Sequence, residues 1–283
     1  MDILDSYKHT TAALGTKHNK QVVIGPLFKK HLGMEVVIPN NFDTDTFGTF
    51  TRDVTRLNSQ KNTAALKARA AMKELGLDIG IASEGSFGSH PLVPFGTANT
   101  EIVVFIDAKN KLEIYGMHME AAPYAQSGIV SSVDEIISFA RSIDFPKHGI
   151  VMRPGEKKYE GMVKGIKDEA ELESAAKLLL ANHKTIWVET DLRAHVNESR
   201  MQHIALATQD LISNIQRLCP QCDMPGFHRI ASKPGLPCEH CTRPTGLPLA
   251  DTYHCDTCGH TNEVQFPDNK ETAYAGYCDY CNP

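Results

Sequence analysis

The chain has 283 residues, 41% hydrophobic and 22% charged, a composition that supports a packed core and excludes a disordered or fibrous protein. Its formal net charge of -5 offers no general attraction to nucleic acid, and no apolar run approaches the roughly 18 residues of a membrane span. The start, Met1-Asp-Ile-Leu-Asp-Ser6, lacks the basic segment and apolar stretch of a secretory signal, so a cytoplasmic protein is expected.

In chain order, residues 10–14 read as a strand, followed by the turn Gly15-Thr16-Lys17-His18-Asn19-Lys20. Residues 20–32 have helical spacing, Gly33 stops them, and residues 34–39 form the next strand. A helix between two strands implies a parallel βαβ unit. Backbone amides at a helix start, joined by lysine, suit phosphate, which makes Thr16, Lys17, Asn19 and Lys20 candidate phosphate ligands; a plain solvated turn fits the same residues. Residues 40–56 carry Asp43, Asp45 and Asp53 among threonines, a set that can hold a hydrated magnesium ion or simply cap a surface loop.

Residues 63–75 form an amphipathic helix ended by Gly76, and residues 78–82 a buried strand that runs into the loop Ser83-Glu84-Gly85-Ser86-Phe87-Gly88. Glu84, at the end of an apolar strand and flanked by glycine, is a candidate metal ligand or general base, with Ser86 beside it for phosphate. Residues 101–108 and 112–117 make a hairpin. Residues 131–142, 169–181 and 200–217 are helices, and residues 185–190 a strand. After that strand come Glu189, Asp191, Arg193, His195 and Arg200, where Arg193 and Arg200 could clamp phosphate or carboxylate bidentately. His195 and His90 read as hydrogen-bonded rather than catalytic. The expected architecture is an α/β domain over residues 1–218, with a central mixed, largely parallel sheet flanked by helices.

All eight cysteines lie from Cys219 to Cys281, as the pairs Cys219/Cys222, Cys238/Cys241, Cys255/Cys258 and Cys278/Cys281. Fifteen residues separate the first pair from the second and nineteen the third from the fourth, so each half fits a tetrahedral zinc site. Sequential pairing is the simpler arrangement, and cross-bracing (first with third, second with fourth) is the alternative. Either way residues 219–283 read as a small double zinc-ribbon domain with two structural zinc ions. Four Lys/Arg against eight Asp/Glu make this module a poor partner for a phosphate backbone. A folding staple, a homodimer contact or a lid suits it better.

The segment from Leu14 to Lys20, with Leu32-Gly-Met-Glu-Val-Val37, the helix Asn62-Thr-Ala-Ala-Leu-Lys-Ala-Arg-Ala-Ala71 and the turn Gly76 to Ser86, resembles the inosine/xanthosine triphosphate pyrophosphatases. That superfamily includes the Maf-like proteins, and the firm part covers about residues 10–90. The resemblance implies that Thr16, Lys20 and Lys67 contact phosphates. It also implies that Glu84 binds a catalytic magnesium or manganese ion and activates water, that Asp53 and then Asp45 supply a second carboxylate, and that Arg200 approaches the nucleotide. Asn19 and Lys20 are adjacent where that family spaces them, and Ser83 stands where it has an acid. The chain more closely resembles an uncharacterised bacterial family. The implied activity is hydrolysis of a nucleoside triphosphate to monophosphate and pyrophosphate. The competing expectation is a nucleotide or anion sensor without turnover, signalling through the zinc module.

Overall fold

A short helix, α1 (Ile3–Tyr7), leads into β1 (Thr11–Gly15), α2 (Gln21–Leu32) and β2 (Glu35–Val37) in a computed structural model that describes residues 3–40, 42 and 58–283. Asp45 and Asp53 lie outside the described residues, as does most of the threonine-rich loop. Helix α2 buries Ile24, Phe28 and Leu32, four residues apart on one stripe, and Gly33 ends it at φ 67°, its N–H returning to the Lys29 carbonyl. The next helix, α3 (Gln60–Leu75), starts three residues before the apolar spacing suggests, because the Ser59 hydroxyl caps the Asn62 N–H.

Strands β3 (Ile79–Ser89), β4 (Thr97–Asp107) and β5 (Leu112–Ala121) complete a sheet of order β2-β1-β3-β4-β5. Strand β3 is parallel to β1, but β3–β4 and β4–β5 are antiparallel, so the sheet is mixed and not largely parallel. The expected loop after residue 82 is strand as well. Its Ser/Gly-rich residues read as a turn, yet every one from Ser83 to Ser89 pairs with β4, whose ladder outweighs their weak strand propensity. Helix α3 packs on this sheet through Ala64, Ala68 and Ala71 against Ala13 and Ala82. The approach is so close that a Cβ on Gly15 would sit 2.6 Å from the Lys67 carbonyl oxygen.

A second sheet joins the strand expected over residues 185–190 to three strands that the periodicity left unassigned. It comprises β6 (Ser127–Val130), β7 (Ile150–Arg153), β8 (Val163–Ile166) and β9 (Ile186–Thr190), all antiparallel in the order β6-β9-β7-β8. Helices α4 (Val133–Ser142) and α5 (Glu169–Asn182) bury Ile136 and Leu172 with Ile150, Met152 and Val188 of its strands. Three of the four strands have only four residues, too short for an alternation to register. Helix α6 (Glu198–Gln216) then runs along β5, where a Cβ on Gly116 would lie 2.2 Å from the Leu211 nitrogen and 2.4 Å from the Ala207 oxygen.

The chain forms two compact units, one of residues Tyr7–Ile212 and one built around Ser213–Pro283. The latter carries β10 (His228–Pro234), β11 (Pro248–His254) and β12 (Thr261–Gln265) as an antiparallel sheet in that order. Among the described residues no helix is long and apolar enough to cross a membrane.

Candidate functional site

Three chain segments meet at one end of the first sheet: the turn after β1, the outer half of β3 and the connection from β9 to α6. Their meeting is marked by His18 and His195, whose rings stack with centroids 4.9 Å apart. Beneath lie Lys20, Lys67, Glu84, Glu101 and Arg200, each no more than 7% exposed. Lys67 Nζ donates to Glu84 Oε2 at 2.6 Å. Arg200 forks onto Glu101, Nε to Oε1 at 2.7 Å and Nη2 to Oε2 at 3.0 Å, while its Nη1 donates to the Leu192 carbonyl. Lys20 Nζ donates to Ser83 Oγ at 2.9 Å. Three cations against two carboxylates leave the cluster one positive charge in excess when all are ionised.

Burial pushes the Lys20 amine down to about 8, helped by Arg200 and Lys67 and opposed by Glu101 and Glu84. Burial alone would raise the Glu101 carboxyl, but the Arg200 guanidinium, Lys20 and the Asn99 amide hold it below the ordinary value. Asn99 donates to Glu101 Oε1 at 3.0 Å and to the Ser86 carbonyl at 3.3 Å. Gln60 ties the strands together, its amide donating to the Glu84 carbonyl at 2.7 Å and the Thr100 carbonyl at 2.8 Å.

Gly85 makes this geometry possible. A Cβ there would sit 2.2 Å from Arg200 Nη2 and 2.6 Å from Glu101 Oε1. Gly85→Ala is therefore expected to split the Arg200–Glu101 pair and to lower stability by about 3 kcal/mol, the scale of a broken buried ion pair. Thermal melts of Gly85→Ala beside Gly88→Ala, where a Cβ meets nothing within 4 Å, check this. Equal melting points for the two would contradict it.

A cleft of about 270 Å³ opens next to the cluster, walled by Phe87, Gly88 and Thr97 on one side and by Gln126, Ser127 and Glu189 on the other. The Phe87 ring lies 5.9 Å from the Arg200 guanidinium and meets Tyr124 edge-on. The buried Tyr124 hydroxyl has no hydrogen-bond partner among the described residues. Burial pushes it up, and Arg200 and Glu101 lie near enough to act on it.

Of the expected site residues, Lys20, Lys67, Glu84 and Arg200 come together. Ser86 is close by, its hydroxyl donating to Gln60 Oε1 at 3.0 Å. Thr16 is buried and its Oγ1 accepts weakly from the His18 N–H at 3.4 Å, so it shapes its own loop. Lys17 and Asn19 are exposed, and Asn19, at φ 56°, accepts from the Gln21 side chain. Arg193 is clamped bidentately by the fully buried Asp191. His90 is hydrogen-bonded as expected, its Nδ1 accepting from the Leu92 and Val93 amides. Glu101, Asn99 and Gln60 were not anticipated. The one available signal was the polar head of β4, where Asn99 and Glu101 precede the apolar run of residues 102–106.

In the second unit the cysteines form two groups, Cys219, Cys222, Cys255 and Cys258, and Cys238, Cys241, Cys278 and Cys281. The pairing is thus cross-braced, replacing the simpler sequential expectation. Hairpin β10–β11 returns the chain so that the third pair faces the first. Facing sulfurs lie 3.7 Å apart in the first group and 3.6 and 3.9 Å apart in the second. Four sulfurs bound tetrahedrally at about 2.3 Å would be roughly 3.8 Å apart, so each group has the dimensions to hold one structural metal ion. The groups are compatible with zinc ribbons whose ligand pairs interleave.

Residues 67–283 match the family model described as Domain of unknown function (DUF6671). The match takes in Lys67, Glu84, Glu101, Arg200 and every cysteine, and leaves Lys20 outside. No curated protein matches the chain, and no solved structure does.

Proposed function

The chain belongs to the DUF6671 family, and from its geometry we propose that the α/β unit binds and hydrolyses a phosphate-bearing small molecule, a nucleoside triphosphate being the preferred substrate class. The observation that carries this is the buried cluster of Lys20, Lys67 and Arg200 around two carboxylates, with positive charge in excess. A polyanion entering beside it exchanges partners with Lys67 and so frees Glu84 from the 2.6 Å ion pair. The released carboxylate can then draw a proton from water or hold a divalent ion. Among the described residues both carboxylates are taken by cations, so magnesium or manganese would depend on that exchange and would supply charge neutralisation on the phosphates. The Phe87 ring and the largely polar cleft beside it offer a seat for the rest of the ligand.

The pairing itself favours a second reading, a nucleotide or anion sensor without turnover, because neither carboxylate is uncommitted in the ligand-free protein. Pyrophosphate release from a panel of standard and deaminated nucleoside triphosphates, with magnesium and then manganese, separates the two. Turnover is expected, with Glu84→Gln at least about a hundredfold slower, the usual scale for a lost general base. In the free enzyme kcat/KM should fall as pH rises through about 8, where Lys20 loses the charge that holds phosphate. Ligand binding without product from any nucleotide would leave the sensor.

We further infer that the two thiolate groups hold zinc, as structural elements. Four sulfurs close the coordination shell, leaving no position for substrate.

A further inference from the structure

A second set of donors lies beside the cluster, where β5 faces α6. Gly116, His118 and Glu120 alternate along β5 on one face, since side chains two residues apart on a strand point the same way. On α6 the matching stripe is Leu211, Ala207 and His203, four residues apart. Gly116 already meets Leu211 and Ala207. One step further along both elements, His118 meets His203, their rings 5.3 Å apart and tilted by 49°. Two imidazoles bound at about 2.1 Å to one tetrahedral ion place their ring centres roughly 5 Å apart.

The hydrogen bonds around His203 fix which nitrogen is available. The Asn99 amide nitrogen donates to both Glu101 and the Ser86 carbonyl, so its oxygen is the atom facing His203 Nδ1, 2.8 Å away. Nδ1 therefore carries the proton and Nε2 keeps its lone pair, the tautomer that a metal needs and the outer-shell support that metal-bound histidines use. On the other side, His118 Nε2 is buried without a hydrogen-bond partner. Glu120 Oε2 stands 3.4 Å from it, near enough for an ion pair but not aligned as a hydrogen bond. The Glu120 side chain is 57% exposed, so it can turn toward an ion without disturbing the core.

We propose that His118, His203 and Glu120 form a site for a first-row divalent transition ion, distinct from the two thiolate groups. Two neutral imidazoles and one carboxylate suit zinc or cobalt(II) rather than magnesium or calcium, which favour all-oxygen shells. The three donors are not yet gathered within 4.8 Å of one another, so the ion would close the site by drawing in the exposed Glu120 and turning the facing imidazoles. Through His203 and Asn99 the ion would be linked to Glu101 and Arg200, and it would strengthen the hydrogen bonds that orient that pair.

The test uses the full-length protein with both thiolate groups loaded with zinc. Cobalt(II) is titrated at pH 7.5, following visible absorption and, after gel filtration, metal per chain. The expected result is one further equivalent with nitrogen/oxygen-type bands and no thiolate charge-transfer absorption. That equivalent should disappear in His118→Asn and in His203→Asn. It should weaken about tenfold in Glu120→Gln, an exposed change that leaves folding intact, and by about ten- to a hundredfold in Asn99→Leu, which keeps all three ligands but removes the support of His203. Two metals per chain in the wild type would overturn the proposal. A third equivalent that survives in Glu120→Gln and His118→Asn at full affinity would overturn it equally. None of these readouts depends on hydrolytic activity, so the proposed function can fail while this site stands, or the reverse.

Discussion

Cys219→Ser combined with Cys238→Ser is expected to empty both thiolate sites, whereas Cys219→Ser combined with Cys255→Ser should leave one thiolate-bound ion per chain. Both variants lose two thiolates. Only the interleaved arrangement distinguishes them, because Cys219 and Cys238 belong to different groups and Cys219 and Cys255 to the same one. Sequential pairing would reverse the outcome. Metal content by mass spectrometry reads it directly. The effect on stability is the largest in the molecule, since a structural zinc contributes about 10–16 kcal/mol in zinc-finger peptides, comparable to the entire stability of an ordinary domain. Loss of both ions should therefore unfold the cysteine-bearing unit outright, and a strong chelator acting on the wild type should do the same.

Glu101→Gln is expected to destabilise the α/β unit by about 3–5 kcal/mol, because it leaves the Arg200 guanidinium buried with no opposing charge. At roughly 2–4 °C per kcal/mol for a unit of this size, the melting temperature should fall by about 6–20 °C. The double change Glu101→Leu with Arg200→Met should recover much of this, since it removes both charges together. A pH series separates the charge from the shape. The Glu101 carboxyl titrates below its ordinary value in the folded protein, so its contribution is fully present above the unfolded value. It is lost as pH falls through the lower folded value. The wild type should therefore lose stability on acidification in a range where Glu101→Gln changes less. Parallel acid profiles for the two proteins would show that the pair is not what stabilises this corner.

The parts of this molecule that its sequence discloses are those written in local chemistry. The Cys-x-x-Cys pairs declare a metal by spacing alone, but which pairs share an ion depends on the β10–β11 reversal, and spacings of fifteen and nineteen residues fit either arrangement. Lys20, Glu84 and Arg200 stand out because charged residues at the ends of apolar segments are conspicuous. Their partner Glu101 lies within a strand whose apolar run dominates any window drawn over it. Glycine and serine made the outer half of β3 read as a loop, and only the long-range ladder with β4 overrules them. His203 looks like one more polar position on an ordinary helix until Asn99, 104 residues away in sequence, is found 2.8 Å from its ring. Three of the four strands of the second sheet escaped notice because four-residue strands carry too little pattern. The carboxylates Asp45 and Asp53 lie outside the described residues.

The interleaving of the cysteine pairs also bears on how the chain is made. Synthesis delivers Cys219, Cys222, Cys238 and Cys241 first, and thirteen further residues must follow before Cys255 appears. At about 5–20 residues per second that is an interval of roughly one to three seconds. During it the only complete set of four thiols on the nascent chain is the wrong one. A metal captured then would sit in a tetrahedral site that the finished protein does not contain, and it would have to be handed over, thiolate by thiolate, as the third and fourth pairs arrive. The rate of that exchange, rather than metal affinity, would set how quickly the module matures.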